Sequence, residues 1–166
     1  MTESPAPVDE ALVHEALVHQ ALRSLAARYA AGVDRRQRDL FLSAFRPDAT
    51  LAVHRPAAGP DDKPHLMRGH AEIGRVVELI AKYPKTFHML GQDRYQMEGD
   101  RATGEVYCLA SHYVPSGQGD SNYVMYIRYE DEYRREPGGP WQIQRRDVRT
   151  DWTERRPITP DASGQQ

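Results

Sequence analysis

The chain has 166 residues, enough for one domain with one core and too few for two ordinary ones. Its 22 Lys and Arg nearly balance 24 Asp and Glu, a net charge of −2 that gives nucleic acid or an anionic membrane no electrostatic purchase. A single cysteine, Cys108, excludes an intrachain disulfide, no H-E-x-x-H or Cys cluster offers a common zinc spacing, and no apolar run is long enough to span a bilayer. The start of the chain lacks the basic and apolar regions of a signal peptide, so a cytoplasmic protein is expected.

Residues 1–7 read as a flexible lead-in. Residues 8–33 follow as the strongest helical stretch, with Leu12, Ala16, Leu22, Leu25, Ala26 and Tyr29 recurring mostly every three or four positions. Its first part, through His19, is expected to be helical but loosely attached, and Gly32 and Asp34 mark its end or a break. A short helix near residues 37–44 presents Leu40, Phe41 and Phe45, and Pro47-Asp48-Ala49 turns the chain into a strand over residues 50–54. Residues 55–64 form a loop rich in Pro, Gly and Asp. Gly69 or His70 opens a third helix with Ile73, Val76, Val77 and Ile80 inward, which ends before Pro84.

Four strands are predicted next, over residues 86–98, 102–114, 122–135 and 141–151. Gly99-Asp100, the polar stretch 115–121 and Pro137-Gly138-Gly139-Pro140 supply the turns between them. Helices first and hairpin-linked strands after is the α+β pattern. Residues 8–153 therefore make one domain, and 154–166 read as a flexible tail.

The order of short motifs is more specific than any one of them. Leu25-Ala26-Ala27-Arg28-Tyr29-Ala30-Ala31-Gly32-Val33-Asp34 is followed by Phe41, Phe45 and Pro47-Asp48-Ala49. Then come Arg68-Gly69, Thr86-Phe87-His88-Met89-Leu90, Gly99-Asp100-Arg101-Ala102, Tyr129-x-Asp131-x-Tyr133, Trp141-x-Ile143, and Asp151-Trp152. This succession, from about residue 18 to 152, resembles SnoaL-like proteins of the nuclear transport factor 2-like superfamily. Within them it is most similar to the branch related to scytalone dehydratase, bile-acid 7α-dehydratase and hexachlorocyclohexane dehydrochlorinase. The resemblance implies a cone-shaped α+β barrel of cystatin-like topology, with three N-terminal helices packed on a strongly curved antiparallel sheet.

In that branch an Asp from the first helical region and a His from the first long strand meet in the cavity. The matching positions are Asp34 and His88, with His88 as general base and Asp34 fixing its tautomer. The resemblance also places Tyr29 on the cavity wall, His112 as a second cavity histidine, and Arg145 or Arg146 as a late-strand arginine. A further Tyr pair of scytalone dehydratase has no clear match.

The residues themselves carry part of this reading. His88 stands in an apolar stretch and shares its strand face with Thr86 and Leu90. A neighbouring carboxylate makes an imidazole more basic and fixes which nitrogen is free. Asp34 has a plainer alternative as the cap of the next helix or as a surface partner of Arg35 or Arg36, and Tyr29 as core packing. His112 is in phase with Val106, Cys108 and Ala110, a small apolar face that suits a cavity wall; Cys108 on that face is expected to line the substrate site, with a buried, reduced thiol as its plainer alternative. Strict alternation from Trp141 and Ile143 turns Arg145 inward, whereas a β-bulge turns Arg146 inward, where it would hold a carboxylate or oxyanion. His14, His19, His54, His65 and His70 read as solvated.

Two functions of different kind follow. One is a cofactor-independent lyase or isomerase, of dehydratase or cyclase type, acting on a small hydrophobic substrate of polyketide or steroid kind. The other is a non-catalytic binding or oligomerisation module of the same fold. Neither involves a metal, and the open convex face of a curved sheet predicts a homodimer or higher homo-oligomer.

Overall fold

The computed structural model describes residues 9–56, 59 and 61–159. The lead-in expected over residues 1–7 and the end of the tail, 160–166, lie outside them. Helix α1 spans Glu10–Asp34, and Asp9 caps it by accepting from the backbone N–H groups of Ala11 and Leu12. Only its second half is docked: Val18, Leu22, Leu25, Ala26, Tyr29 and Val33 are buried, whereas Leu12 and Leu17 are exposed. Burying a Leu such as Leu22 or Leu25 in full stabilises the fold by about 1.5–3 kcal/mol, and the first turns of α1 gain little of this. Gly32 lies inside the last turn rather than ending it. A Cβ there would stand 2.5 Å from the Phe41 nitrogen, so only glycine lets α1 press against α2, Arg38–Leu42.

Strand β1 runs Phe45–Val53 and β2 runs His65–Arg68. The Pro47-Asp48-Ala49 turn is thus an irregularity inside β1, where the pairing with β6 slips between Phe45 and Thr50. The third helix is broken into α3, Gly69–Ile73, α4, Val76–Leu79, and a 3-10 turn over Ile80–Lys82. Gly74 sits at the break, where a Cβ would strike the Arg38 guanidinium at 2.5 Å. Ile73 and Val77 still face the core as expected.

Strands β3, Thr86–Glu98, β4, Arg101–Val114, β5, Ser121–Arg134, and β6, Gln142–Pro157, complete a sheet of order β2-β1-β6-β5-β4-β3. The α+β architecture holds, with two differences of detail. The sheet is open, edged by β2 and β3, and it is mixed, because β1 and β6 pair in parallel. β6 also passes the boundary expected for the tail, since β5 continues opposite it to the pair Ser121 and Pro157.

Bulges give the sheet its bend. One extra residue enters β3 between Leu90 and Asp93, and two enter β6, Gln144 opposite the Glu132–Tyr133 step and Asp151 opposite the Tyr126–Ile127 step. Each reverses which residues face the helices. Among the described residues no helix is long and apolar enough to cross a membrane.

Candidate active site

Asp34 is the last residue of α1, and β3 begins beneath it. Its carboxylate is fully engaged: Oδ1 lies 2.6 Å from His88 Nδ1 and accepts from the Thr86 hydroxyl at 2.9 Å, while Oδ2 accepts from the His88 backbone N–H at 2.9 Å. Alternation places Thr86 and His88 on the same face, so one short stretch of strand supplies all three donors. Asp34 does not cap α2, whose N-cap is Gln37 without a side-chain bond.

His112 joins from β4, where its register partner is Thr86. Its ring centroid stands 6.0 Å from that of His88, nearly edge to face. His112 Nδ1 lies 3.1 Å from the Tyr123 carbonyl, and its backbone N–H donates to Asn122 Oδ1 at 3.1 Å. Tyr83 and Tyr123 flank the His112 ring at 4.7 and 5.8 Å between centroids.

These partners settle the tautomers. Burial would raise the Asp34 pKa, but hydrogen bonds from the His88 ring and backbone and from Thr86 outweigh it and hold the carboxyl below its usual range. An ionised carboxylate only accepts, so His88 carries its proton on Nδ1 and presents a bare Nε2. The Tyr123 carbonyl likewise only accepts, so neutral His112 presents a bare Nε2 as well. Burial lowers the His112 pKa, against a smaller opposing effect of the Tyr123 carbonyl, and keeps this imidazole neutral. Two acceptor nitrogens with different partners behind them therefore share the inner face of the sheet. His88 is backed by a carboxylate; His112 is not.

The other expected site residues lie deeper. Tyr29 packs on Phe41, Phe45 and Tyr129, and burial pushes its hydroxyl up to about 12 although Arg146 opposes this. Arg146 is buried between the Tyr29 and Tyr129 rings, 4.5 and 4.2 Å from their centroids, and forms a two-pronged pair with Asp131 at 2.8 and 2.6 Å. Burial raises the Cys108 thiol to about 11, against a lowering hydrogen bond with Tyr129. Among the described residues no hydrogen bond links Tyr29, Cys108 or Arg146 to the dyad. They form a polar seam in the core that is incompletely satisfied: among the described residues Arg146 Nη1, like Thr150 Oγ1, is buried without a partner.

Arg145, the alternative inward arginine, lies on the outer face bound to Asp147 at 2.6 Å. The bulge at Gln144 is the cause, since it restores Arg146 to the side of Ile143. Outer-face His54 corrects a second expectation. It is mostly buried and 2.7 Å from Asp147 rather than solvated. His19 also has partners, the Tyr95 ring and Asp93, and His70 Nε2 lies 3.1 Å from the Phe45 carbonyl.

Sequence reading missed Tyr83, Arg36 and Asn122 around the site. Tyr83 sits in the link before β3, outside any periodic pattern. Tyr123 was visible by alternation, in phase with Met125, Ile127 and Tyr129. Among the described residues no three His, Cys, Asp or Glu side chains converge as metal ligands.

Comparison with known proteins agrees with the fold. The sequence profile of the SnoaL-like domain matches residues 14–147, and the chain belongs to that family. An uncharacterised protein of Mycobacterium tuberculosis is 28% identical over 127 residues, 75% of this chain and 79% of that protein. The hexachlorocyclohexane dehydrochlorinase LinA-type3 of Novosphingobium barchaimii superposes with a TM-score of 0.71 at 18% identity, covering 90% of this chain and 95% of that one. A Novosphingobium aromaticivorans protein provisionally assigned as a scytalone dehydratase gives 0.69 at 18%, covering 87% and 91%. At such identities the likeness carries the fold and not the reaction.

Proposed function

We propose that this chain is a cofactor-independent lyase or isomerase of dehydratase or cyclase type, acting on a small hydrophobic substrate. The observation that carries the proposal is the Asp34–His88 pair with Nε2 of His88 left free beside His112. His88 Nε2 takes a proton from a carbon next to a carbonyl, and ionised Asp34 stabilises the imidazolium that forms. In a dehydration the imidazolium returns that proton to the departing hydroxyl, which leaves as water. His112 accepts a hydrogen bond from that hydroxyl and orients it. Ring closure or double-bond migration would use the same base. A polyketide- or steroid-like skeleton would suit the apolar side chains of Leu90, Ala110, Met125 and Ile127, which share the inner face with His88.

The test is a panel of β-hydroxy ketones of increasing ring count in deuterated water, followed by NMR. Deuterium entering the carbon next to the carbonyl, or loss of water, is expected with the wild-type protein and not with His88→Ala. Binding with neither exchange nor turnover would identify a non-catalytic binding module instead.

The outer face supports a proposal about assembly. Phe87, Met89, Tyr107 and Trp152 are exposed on it across β3, β4 and β6, and Trp152 stacks on Tyr126 at 4.2 Å. Opposite charges flank this patch, with Arg128 bound to Asp151 and Arg94 to Glu105. A patch so mixed in sign is compatible with its own copy, and we assign it to a homodimer. Sedimentation should show a dimer that Trp152→Lys dissociates; a monomer at micromolar concentration would refute the assignment.

A further inference from the structure

Arg36 is the one described non-glycine residue with a positive φ, +57°. It stands two residues after Asp34, where the chain leaves α1. The left-handed conformation there usually belongs to glycine, because a Cβ crowds the backbone. The Arg36 side chain is spread over four acceptors. Nη1 donates to the Val33 carbonyl and, at 2.9 Å, to Thr86 Oγ1; Nη2 donates to the Tyr83 carbonyl at 2.7 Å and the Ile80 carbonyl at 3.4 Å. One guanidinium thus ties together the end of the helix that carries Asp34, the turn that carries Tyr83, and the start of the strand that carries His88.

The bond to Thr86 has a directional consequence. Arginine stays protonated and cannot accept, so Thr86 Oγ1 receives the Arg36 proton and its own hydroxyl proton is directed to Asp34 Oδ1. Oδ1 is also the oxygen that takes the His88 Nδ1 proton. Rotation of the carboxylate about its bond to Cβ would break the Thr86 bond together with the His88 bond.

We propose that Arg36 and Thr86 are positioning residues, which lock the Asp34 carboxylate and through it hold His88 in the tautomer with Nε2 bare. The inference rests on the assignment of His88 as the base, but it concerns the free protein and is tested there. Arg36 also fixes Tyr83 beside His112, so its loss reaches the second histidine as well.

The experiment is NMR of protein labelled with nitrogen-15 in histidine, at a pH where His88 is neutral, read with the thermal midpoint. Asp34, Arg36, Lys82, Tyr83 and Tyr123 are the ionisable groups that face the two rings besides the rings themselves, and His88, Asp34 and Lys82 act on His112. In the wild type, Nδ1 of His88 should be protonated and Nε2 bare. Thr86→Val keeps the side-chain shape and removes the relay. Arg36→Gly accepts the positive φ and removes the guanidinium. Both should move the tautomer ratio of His88 toward the Nε2-protonated form by about tenfold, the size of one lost hydrogen bond to a charged group. Arg36→Lys, which lacks the fork, should restore only part of it.

An unchanged tautomer in Thr86→Val overturns the proposal, whatever happens to the midpoint. A lower midpoint with an unchanged tautomer in Arg36→Gly would reduce Arg36 to a structural staple. If Arg36→Gly does not fold, Thr86→Val decides alone. Because no substrate enters, a protein that proves non-catalytic would still answer the question. With a substrate in hand, Thr86→Val should lower kcat at constant KM, and Arg36→Gly should also raise KM.

Discussion

The sheet carries a His–Asp pair on each face, and the two are built differently. On the inner face Asp34 meets His88 through Nδ1, which leaves the outermost ring nitrogen, Nε2, unengaged. On the outer face Asp147 meets His54 through Nε2, so the nitrogen left over is Nδ1, close to the backbone. Asp147 is also shared with Arg145, whose Nε and Nη2 donate to it at 2.6 and 3.1 Å. That cation competes with the imidazole for the carboxylate. Asp34 has neutral companions instead, a hydroxyl and a backbone amide, and a second histidine 6.0 Å away. A short His–Asp contact is therefore not enough to mark a site. The free nitrogen, the charge of the other donors and the neighbouring face decide what it can do.

The largest expected effect falls on the inner pair. His88→Ala should abolish turnover with the fold intact, and Asp34→Asn should lower kcat by about two to four orders of magnitude, measured on whichever panel compound reacts. Unaltered rates in His88→Ala would transfer the chemistry elsewhere.

Next comes the buried pair of Arg146 and Asp131, which should govern stability more than activity. Removing one partner strands the other charge in the core, so Asp131→Ala should cost about 3–5 kcal/mol in urea unfolding. Replacing both with apolar residues should cost less than the single change. If Asp131→Ala were neutral, Arg146 would be finding another acceptor, such as a water at its free Nη1.

Acid should separate the groups further. The Asp34 and Asp147 carboxyls are held below their usual value of 3.8, so the stability they contribute is present above about that pH and lost as pH falls through their folded values. His112 acts earlier. Its folded pKa lies below 6.5, so the unfolded chain binds a proton that the fold refuses, and stability drops as pH falls from that value toward the folded one. His112→Gln should remove the higher-pH part of the decline in a thermal melt, and Asp34→Asn part of the lower one. A wild-type midpoint that stays flat from pH 7 to 5 would contradict the burial of His112. The smallest effect is expected at His54, where His54→Gln should leave turnover within about twofold, since it cannot reach the inner face across the sheet.

Much of the site could be read in the sequence because its logic is local. His88 and Thr86 share a face by simple alternation, and so do Val106, Cys108, Ala110 and His112, because β4 contains no bulge before its end. What escaped was decided by residues far apart. Strand β2 was missed in the short interval His65–Arg68 between the Pro- and Gly-rich loop and the third helix, since its partner β1 makes it a strand. The third helix was read as continuous, and the Arg38 guanidinium that packs against Gly74 at its break comes from a different element. Alternation alone pointed to Arg145, and one inserted residue, Gln144, changed the answer to Arg146. Arg36 gave no pattern at all, because its role depends on an unusual backbone angle and on four acceptors, three of them main-chain carbonyls.

The place of β6 has a consequence for how the chain is made. It is the last of the described strands in sequence, yet it lies between β1 and β5 in the sheet. On the ribosome, synthesis runs from the N-terminus, so β1 and β5 both emerge before the strand that separates them. Until β6 arrives, each exposes an edge whose N–H and C=O groups have no partner, the condition in which strands join the wrong chain. The sheet can be completed only once β6 has followed β5 out of the ribosome. A nascent chain stalled after Arg134 should bind holding chaperones and resist release, and adding β6 as a separate peptide should let it go.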